Sequence, residues 1–259
     1  MGVTTAGRWR DQAEGTEDTD AQGCFGKIYK EKYGDAWAAV KRIPKHYITK
    51  KDLDRECKVY HNAQHPNVVK LLGDPWLKDS RWTIPLEFIF GEDLETTIFD
   101  VQLSKIQLTP AVRGTIITGM CEGLLYLHSK DIVHQDLKPD NIMVEHQTHR
   151  AVIIDLGLAK FFRNGLSSAV NLGNEAYSAP EILQMSGVRD KRSDVWRSYV
   201  FMNELLILKS SPRQQHSVAQ IRPTSGKCGL HVDQMWAGSG PTLCCCLGSD
   251  SFLSVYRCL

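Results

Sequence analysis

Between Ile132 and Lys160 the chain sets out two carboxylates, a lysine and an asparagine in an order that could move a phosphoryl group. The first stretch reads Ile132-Val133-His134-Gln135-Asp136-Leu137-Lys138-Pro139-Asp140-Asn141, and the second Ile154-Asp155-Leu156-Gly157-Leu158-Ala159-Lys160. Asp136 is placed to accept the proton of an attacking hydroxyl. Lys138 is placed to neutralise charge developing on a γ-phosphate. Asn141 and Asp155 offer oxygen ligands of the kind a magnesium ion prefers. His128 and His134 invite a metal or proton-relay reading, but no further metal-ligand cluster accompanies either, so both are expected in the core.

At these positions the chain resembles the protein kinases, specifically those that phosphorylate serine or threonine, since Lys138-Pro139 replaces the signature usual in tyrosine kinases. The resemblance implies ATP and Mg2+ as cofactors and a protein as the acceptor. It extends upstream to Gly23-Cys24-Phe25-Gly26-Lys27-Ile28, similar to the end of a glycine-rich phosphate loop. Taken alone, such a pair of glycines would read as an ordinary turn. Here it opens an alternating strand, followed by Gly34-Asp35 and then Trp37-Ala38-Ala39-Val40-Lys41, a hairpin pattern. By the resemblance Lys41 grips the α- and β-phosphates; the plainer reading is a solvated lysine at a strand end. Its acidic partner is expected to be Glu56, on a helix over residues 51–60, with Asp52 and Asp54 on the solvated face.

The family resemblance also assigns a nucleotide pocket. Ile28, Ala39, Leu86 and Met143 would enclose the adenine, Gly23 and Gly26 would cover the phosphates, and backbone groups of Glu87 and Ile89 would bond the base. Two strands are expected, over 68–72 and 82–86, with Pro85 awkward inside the second because it removes a ladder donor. Thr109-Pro110 caps a long amphipathic helix to Ser129, with Val112, Ile116, Ile117, Met120, Leu124, Leu125 and Leu127 on its apolar face. Further on, Gly173 to Glu181 resembles the substrate-docking end of an activation segment. Ser193-Asp194-Val195-Trp196 resembles the start of a central helix whose Asp194 anchors the catalytic loop.

Several residues depart from the family pattern. Ala21 stands for the first loop glycine, and Leu156 for a phenylalanine. Asn174 stands for a threonine that would bridge Asp136 and Lys138. Gln135 replaces an arginine that clamps a phosphate on the activation segment, so phosphorylation of Ser167 or Ser168 is expected to be a weaker switch.

The fold expected is α+β and two-lobed: a small antiparallel sheet with one helix, then a mainly helical lobe that is incomplete. Residues 1–20 are polar, acidic and expected to be disordered; 21–208 form the kinase domain, with lobes over 21–88 and 89–208; 209–259 read as an irregular, cysteine-rich tail of non-kinase origin. Arg222-Pro223-Thr224 is taken as a chance match to a late kinase motif. A net charge of +1, with 24% charged and 42% hydrophobic residues, suggests neither a nucleic-acid partner nor general disorder. No apolar run reaches the length of a membrane span, and a cytoplasmic setting with reduced thiols is expected. Adaptors or other kinases are the partners to expect. The rival reading is a catalytically silent kinase-like scaffold or competitor; a third is a chain that does not fold stably alone.

Overall fold

The computed structural model describes residues 26–162 and 190–207. They belong to the first of two compact units, Met1–Leu208; the second, Lys209–Leu259, lies outside the described residues. So do the expectations for residues 1–20, Ala21, Gly23, Ser167, Ser168, Asn174, Glu181 and Arg222.

The hairpin signal in the sequence becomes strands β1 (Lys27–Tyr33) and β2 (Ala36–Pro44), paired from Lys27↔Arg42 to Tyr33↔Ala36 around a turn with Gly34 at φ +62°. Strand β4 (Arg81–Glu87) pairs with the other edge of β2, and the short β3 (Trp76–Lys78) closes the sheet in the order β1-β2-β4-β3, all antiparallel. The central strands carry the core: Ala38, Ala39, Val40, Ile43, Ile84 and Leu86 are buried. Helix α1 (Lys50–Asn62) is started by Thr49, whose hydroxyl accepts from the Asp52 N–H, and buries Leu53, Cys57, Val59 and Tyr60.

The strand expected over 68–72 does not form. Val68 bridges to Ile153 in the other lobe, and Val69 N–H donates to the Ile153 carbonyl (2.9 Å), whereas Leu71 bridges back to Leu86. The segment is apolar because it is shared between two packed regions, a pattern that cannot be told from a strand by hydrophobicity alone. Pro85 is accommodated for a related reason. Its carbonyl accepts from Leu72 N–H, and a residue's N and C=O point to the same side of a strand, so its missing N–H faces away from β2. On that side β3 ends opposite Thr83, and no ladder bond is lost.

The second lobe begins with β5 (Gly91–Asp93) and α2 (Leu94–Phe99), capped by Asp93. Helix α3 (Pro110–Ser129) starts as the Thr109-Pro110 pair predicts, with Thr109 accepting from Val112 N–H. Ile116, Ile117, Met120, Leu124 and Leu127 are buried as expected, but Leu125 is 42% exposed because the adjacent Leu124 takes the inward position. Then come β6 (Ile132–Val133), β7 (Ile142–Glu145), β8 (Ala151–Ile153) and β9 (Lys160–Phe161). They form two small sheets, β5-β7-β8 and β6-β9. Helix α4 (Lys191–Ile207) buries Phe201, Met202 and Leu205. An antiparallel-sheet lobe followed by a lobe with long helices is the two-lobed α+β architecture expected.

Candidate active site

Lys41 sits in the central strand β2, after three buried residues, and is itself only 3% exposed. That excludes the solvated strand-end reading. Its Nζ lies 2.8 Å from Glu56 Oε1 and 2.9 Å from Asp155 Oδ1. Glu56 projects from the buried face of α1 and is 2% exposed, whereas Asp52 stays at the surface, bound to Thr49 and Arg55. Burial works against the Lys41 charge, but the carboxylates of Asp155 and Glu56 outweigh it and hold the ammonium well above its ordinary range. For Asp155 burial likewise opposes ionisation, and Lys41 overcomes it, so its carboxyl is held below the ordinary value.

Gly157 makes this approach possible. A Cβ there would stand 3.1 Å from both Asp155 Oδ1 and Lys41 Nζ and 3.5 Å from Glu56 Oε1. At Gly26 the lack of a side chain serves the strand pair: φ is +145°, and a Cβ would meet the Arg42 carbonyl oxygen at 2.4 Å.

The loop after β6 is shaped by one buried carboxylate from α4. Asp194 Oδ2 accepts from His134 N–H (2.8 Å) and from His128 Nε2 (3.0 Å), and its Oδ1 accepts from Gln135 N–H (2.9 Å). Desolvation opposes the Asp194 charge, but these bonds and the two histidines keep its carboxyl below the ordinary value. His134 is fully buried. Its Nδ1 accepts from Asp136 N–H at 3.3 Å, so Nε2 carries the proton and faces the Ile154 carbonyl, also at 3.3 Å. Neither histidine belongs to a metal cluster, and among the described residues no group of three metal-binding side chains occurs. Gln135 adopts φ +70°, a left-handed backbone that the flanking bonds to Asp194 impose.

Asp136, Lys138 and Asn141 meet within this loop. Asn141 Nδ2 donates to the Asp136 carbonyl (2.7 Å) and to Asp136 Oδ2 (3.3 Å). Lys138 Nζ lies 3.9 Å from Asp136 Oδ2 and 3.6 Å from Asp140 Oδ2. The hairpin β7–β8 then brings the two expected metal ligands together. Asn141 precedes β7, Asp155 follows β8, and Ile154 N–H donates to the Asn141 carbonyl at 2.8 Å. The Asn141 side chain is buried, yet its Oδ1 accepts no hydrogen bond among the described residues. A buried amide oxygen left open beside a carboxylate fits a hard divalent cation.

Of the expected pocket residues, Ala39 on β2 and Leu86 on β4 are register partners and both buried. Ile28 pairs with Lys41 on β1, and Met143 is buried in β7 of the second lobe. Glu87 N–H donates to the Lys70 carbonyl (2.8 Å), and the Ile89 carbonyl accepts from Gly91 N–H (2.9 Å). The Glu87 side chain is gripped by Arg150 at 2.9 Å, and Arg150 also donates to the Pro66 carbonyl at 2.7 Å. Sequence reasoning missed Arg150, Tyr60 and Arg197, the last buried beside Asp136 with Nη1 at 3.8 Å from Oδ1. Arg197 was findable, because Asp194, Arg197, Phe201 and Leu205 fall on one helical face.

This sheet-and-helix frame holds a buried lysine between two acids and, beneath it, an aspartate-bearing loop anchored by Asp194. Comparison with known proteins carries it further: the family described as the protein kinase domain matches residues 21–233. The chain belongs to that family. It is 30% identical over 229 residues to the cysteine-rich receptor-like protein kinase 19 of Arabidopsis thaliana, covering 85% of this chain and 34% of the relative. It is 32% identical over 191 residues to an Aurora kinase of Yarrowia lipolytica, covering 71% and 49%. A mouse serine/threonine-protein kinase, DCLK3, is 30% identical over 192 residues, covering 71% and 23%. The chain thus spans less than half the length of these relatives.

Proposed function

We propose that this protein transfers the γ-phosphate of ATP to a serine or threonine hydroxyl of a protein substrate. The observation that carries the reading is the placement of Lys41 within hydrogen-bonding distance of both Glu56 and Asp155. A buried lysine so oriented is a ready-made ligand for the α- and β-phosphates, and an α1 helix that presents Glu56 inward keeps it aimed.

Asn141 and Asp155 would hold magnesium, which when bound supplies charge neutralisation for the phosphates. The remaining work falls to the chain's own groups. Asp136 accepts the proton of the attacking hydroxyl, and Lys138, now shared between Asp136 and Asp140, turns toward the transferring group and offsets its charge. Ile28, Ala39, Leu86 and Met143 form the apolar walls for adenine. With Glu87 N–H and the Ile89 carbonyl already bonded, the Glu87 carbonyl and Ile89 N–H are the groups assigned to the base. Gly23 and Gly26 complete the cover over the phosphates. The acting unit is assigned to residues 21–208, and the setting to intracellular signalling in the cytoplasm. Among the described residues Cys57 and Cys121 are free, and burial pushes both thiols up to about 11, where neither ionises readily.

The test is transfer of labelled γ-phosphate from Mg-ATP by the full chain, to itself and to a generic basic protein, with Asp155→Asn as control. Label that depends on Asp155 supports the enzyme. Equal label, or none, from both chains sinks it in favour of a silent scaffold.

A further inference from the structure

Arg197 is among the most deeply buried large side chains of the described residues, 2% exposed, yet it carries a permanent charge. A guanidinium in that position is tolerable only if acids and acceptors face it, because desolvating an unpaired charge is severely unfavourable. Among the described residues it faces Asp136, whose Oδ1 lies 3.8 Å from Nη1, the separation of an ion pair and not of a hydrogen bond. The other oxygen of the same carboxylate looks elsewhere: Oδ2 takes the Asn141 amide at 3.3 Å and lies 3.9 Å from Lys138 Nζ. The two oxygens are therefore divided between a helix and a loop.

The helix that supplies Arg197 also supplies Asp194, one turn earlier. Asp194 fixes the backbone N–H groups of His134 and Gln135. Arg197 then addresses the side chain of the very next residue. Gln135 contributes no charge to this neighbourhood, so a cation beside Oδ1 comes from α4 rather than from the loop's own preceding residue.

We propose that Arg197 is a positioning residue whose charge draws Oδ1 of Asp136 toward α4 and thereby presents Oδ2 to the substrate hydroxyl. This rests on the phosphotransfer reading above. It carries a second consequence that does not: Asp136 is also a counter-ion of a buried arginine, so neutralising it loosens the fold.

Two readouts on the full chain separate these. In steady-state transfer, Arg197→Met should lower kcat about tenfold or more while leaving KM for ATP within about twofold, since displacing a reacting group by an ångström is enough for such a loss. Arg197→Lys, which keeps the charge on a differently shaped side chain, should recover part of it. In thermal melts, Asp136→Asn should lower the midpoint more in the natural background than in the Arg197→Met background. Unchanged kcat in a folded Arg197→Met, or a rise in KM matching the fall in kcat, would overturn the positioning role. Additive melting shifts would overturn the coupling itself. Should the natural chain transfer no phosphate, the enzyme reading fails, and the melting cycle alone still decides whether Arg197 holds Asp136. If Arg197→Met does not fold, the same cycle with Arg197→Lys decides it.

Discussion

Tyr60 Oη accepts a hydrogen bond from Leu156 N–H at 3.3 Å, and so ties α1 to the residue that follows Asp155. Tyr60 lies one turn beyond Glu56, on the same buried face, so the helix is held at two points: Glu56 by Lys41, and Tyr60 by the backbone after Asp155. Burial pushes the Tyr60 hydroxyl well above its ordinary range, with the Glu56 charge adding to it, so it remains protonated beside Lys41.

Tyr60→Phe removes that acceptor and leaves the Leu156 N–H buried without it. Stability should fall by about 1–3 kcal/mol, the desolvation penalty of one orphaned polar group. Urea unfolding measures this directly, and an unchanged midpoint would show that the contact carries no weight.

Lys41→Met leaves the buried Glu56 and the part-exposed Asp155 as two carboxylates facing an apolar side chain. Breaking a buried ion pair from one side costs about 3–5 kcal/mol, and phosphate transfer should vanish with it. Because the remaining acids would then gain by taking up protons, the deficit should shrink as the buffer is acidified from neutrality. A deficit that is flat with pH in denaturant titrations would contradict this account.

Acid and alkali should each find a separate weak point. Asp155 and Asp194 have carboxyls held below the ordinary 3.8, so their contribution is complete above that value and is lost as pH falls through the lower folded-state values. Lys41 is held above the ordinary 10.5, so its contribution is complete below that value and is lost as pH rises through the higher one. Unfolding midpoints should therefore decline below about pH 4 and again above about pH 10.5, and Lys41→Met should abolish the alkaline contribution of this site.

Gly157→Ala would place a methyl group 3.1 Å from both Asp155 Oδ1 and Lys41 Nζ. Both neighbours are side-chain ends that can yield by a few tenths of an ångström, so the fold should survive while the ion cluster opens. Nucleotide affinity, followed by fluorescence of a labelled ATP analogue, should weaken more than the melting temperature falls. The reverse ranking would mean that the glycine matters for the backbone alone.

The site was largely legible because its residues are set by chemistry at short range in the chain. Asp136, Lys138 and Asn141 share one loop, and the hairpin that carries Asn141 to Asp155 is local. Lys41 and Glu56 were legible for a different reason, since each sits on an element whose periodicity is plain. What could not be read were the partnerships that only packing creates. The run over 68–72 has the composition of a strand but is divided between β8 and β4. Arg150 looks like any surface arginine until the fold brings Glu87 and Pro66 to it. The helical face that begins at Asp194 includes Arg197, but only the fold brings Asp136 opposite it.

The bonds from Asp194 to His134 and Gln135 span sequence separations of 60 and 59. A chain made from its N-terminus completes the sheet around Lys41, and even the Asn141–Asp155 hairpin, before Asp194 has been added. Until then the two N–H groups of the loop lack the acceptor that imposes the left-handed turn at Gln135. Order in this loop is thus acquired only after the elements assigned to the nucleotide are in place, and a nascent chain stopped short of α4 would carry those elements without a settled loop beside them.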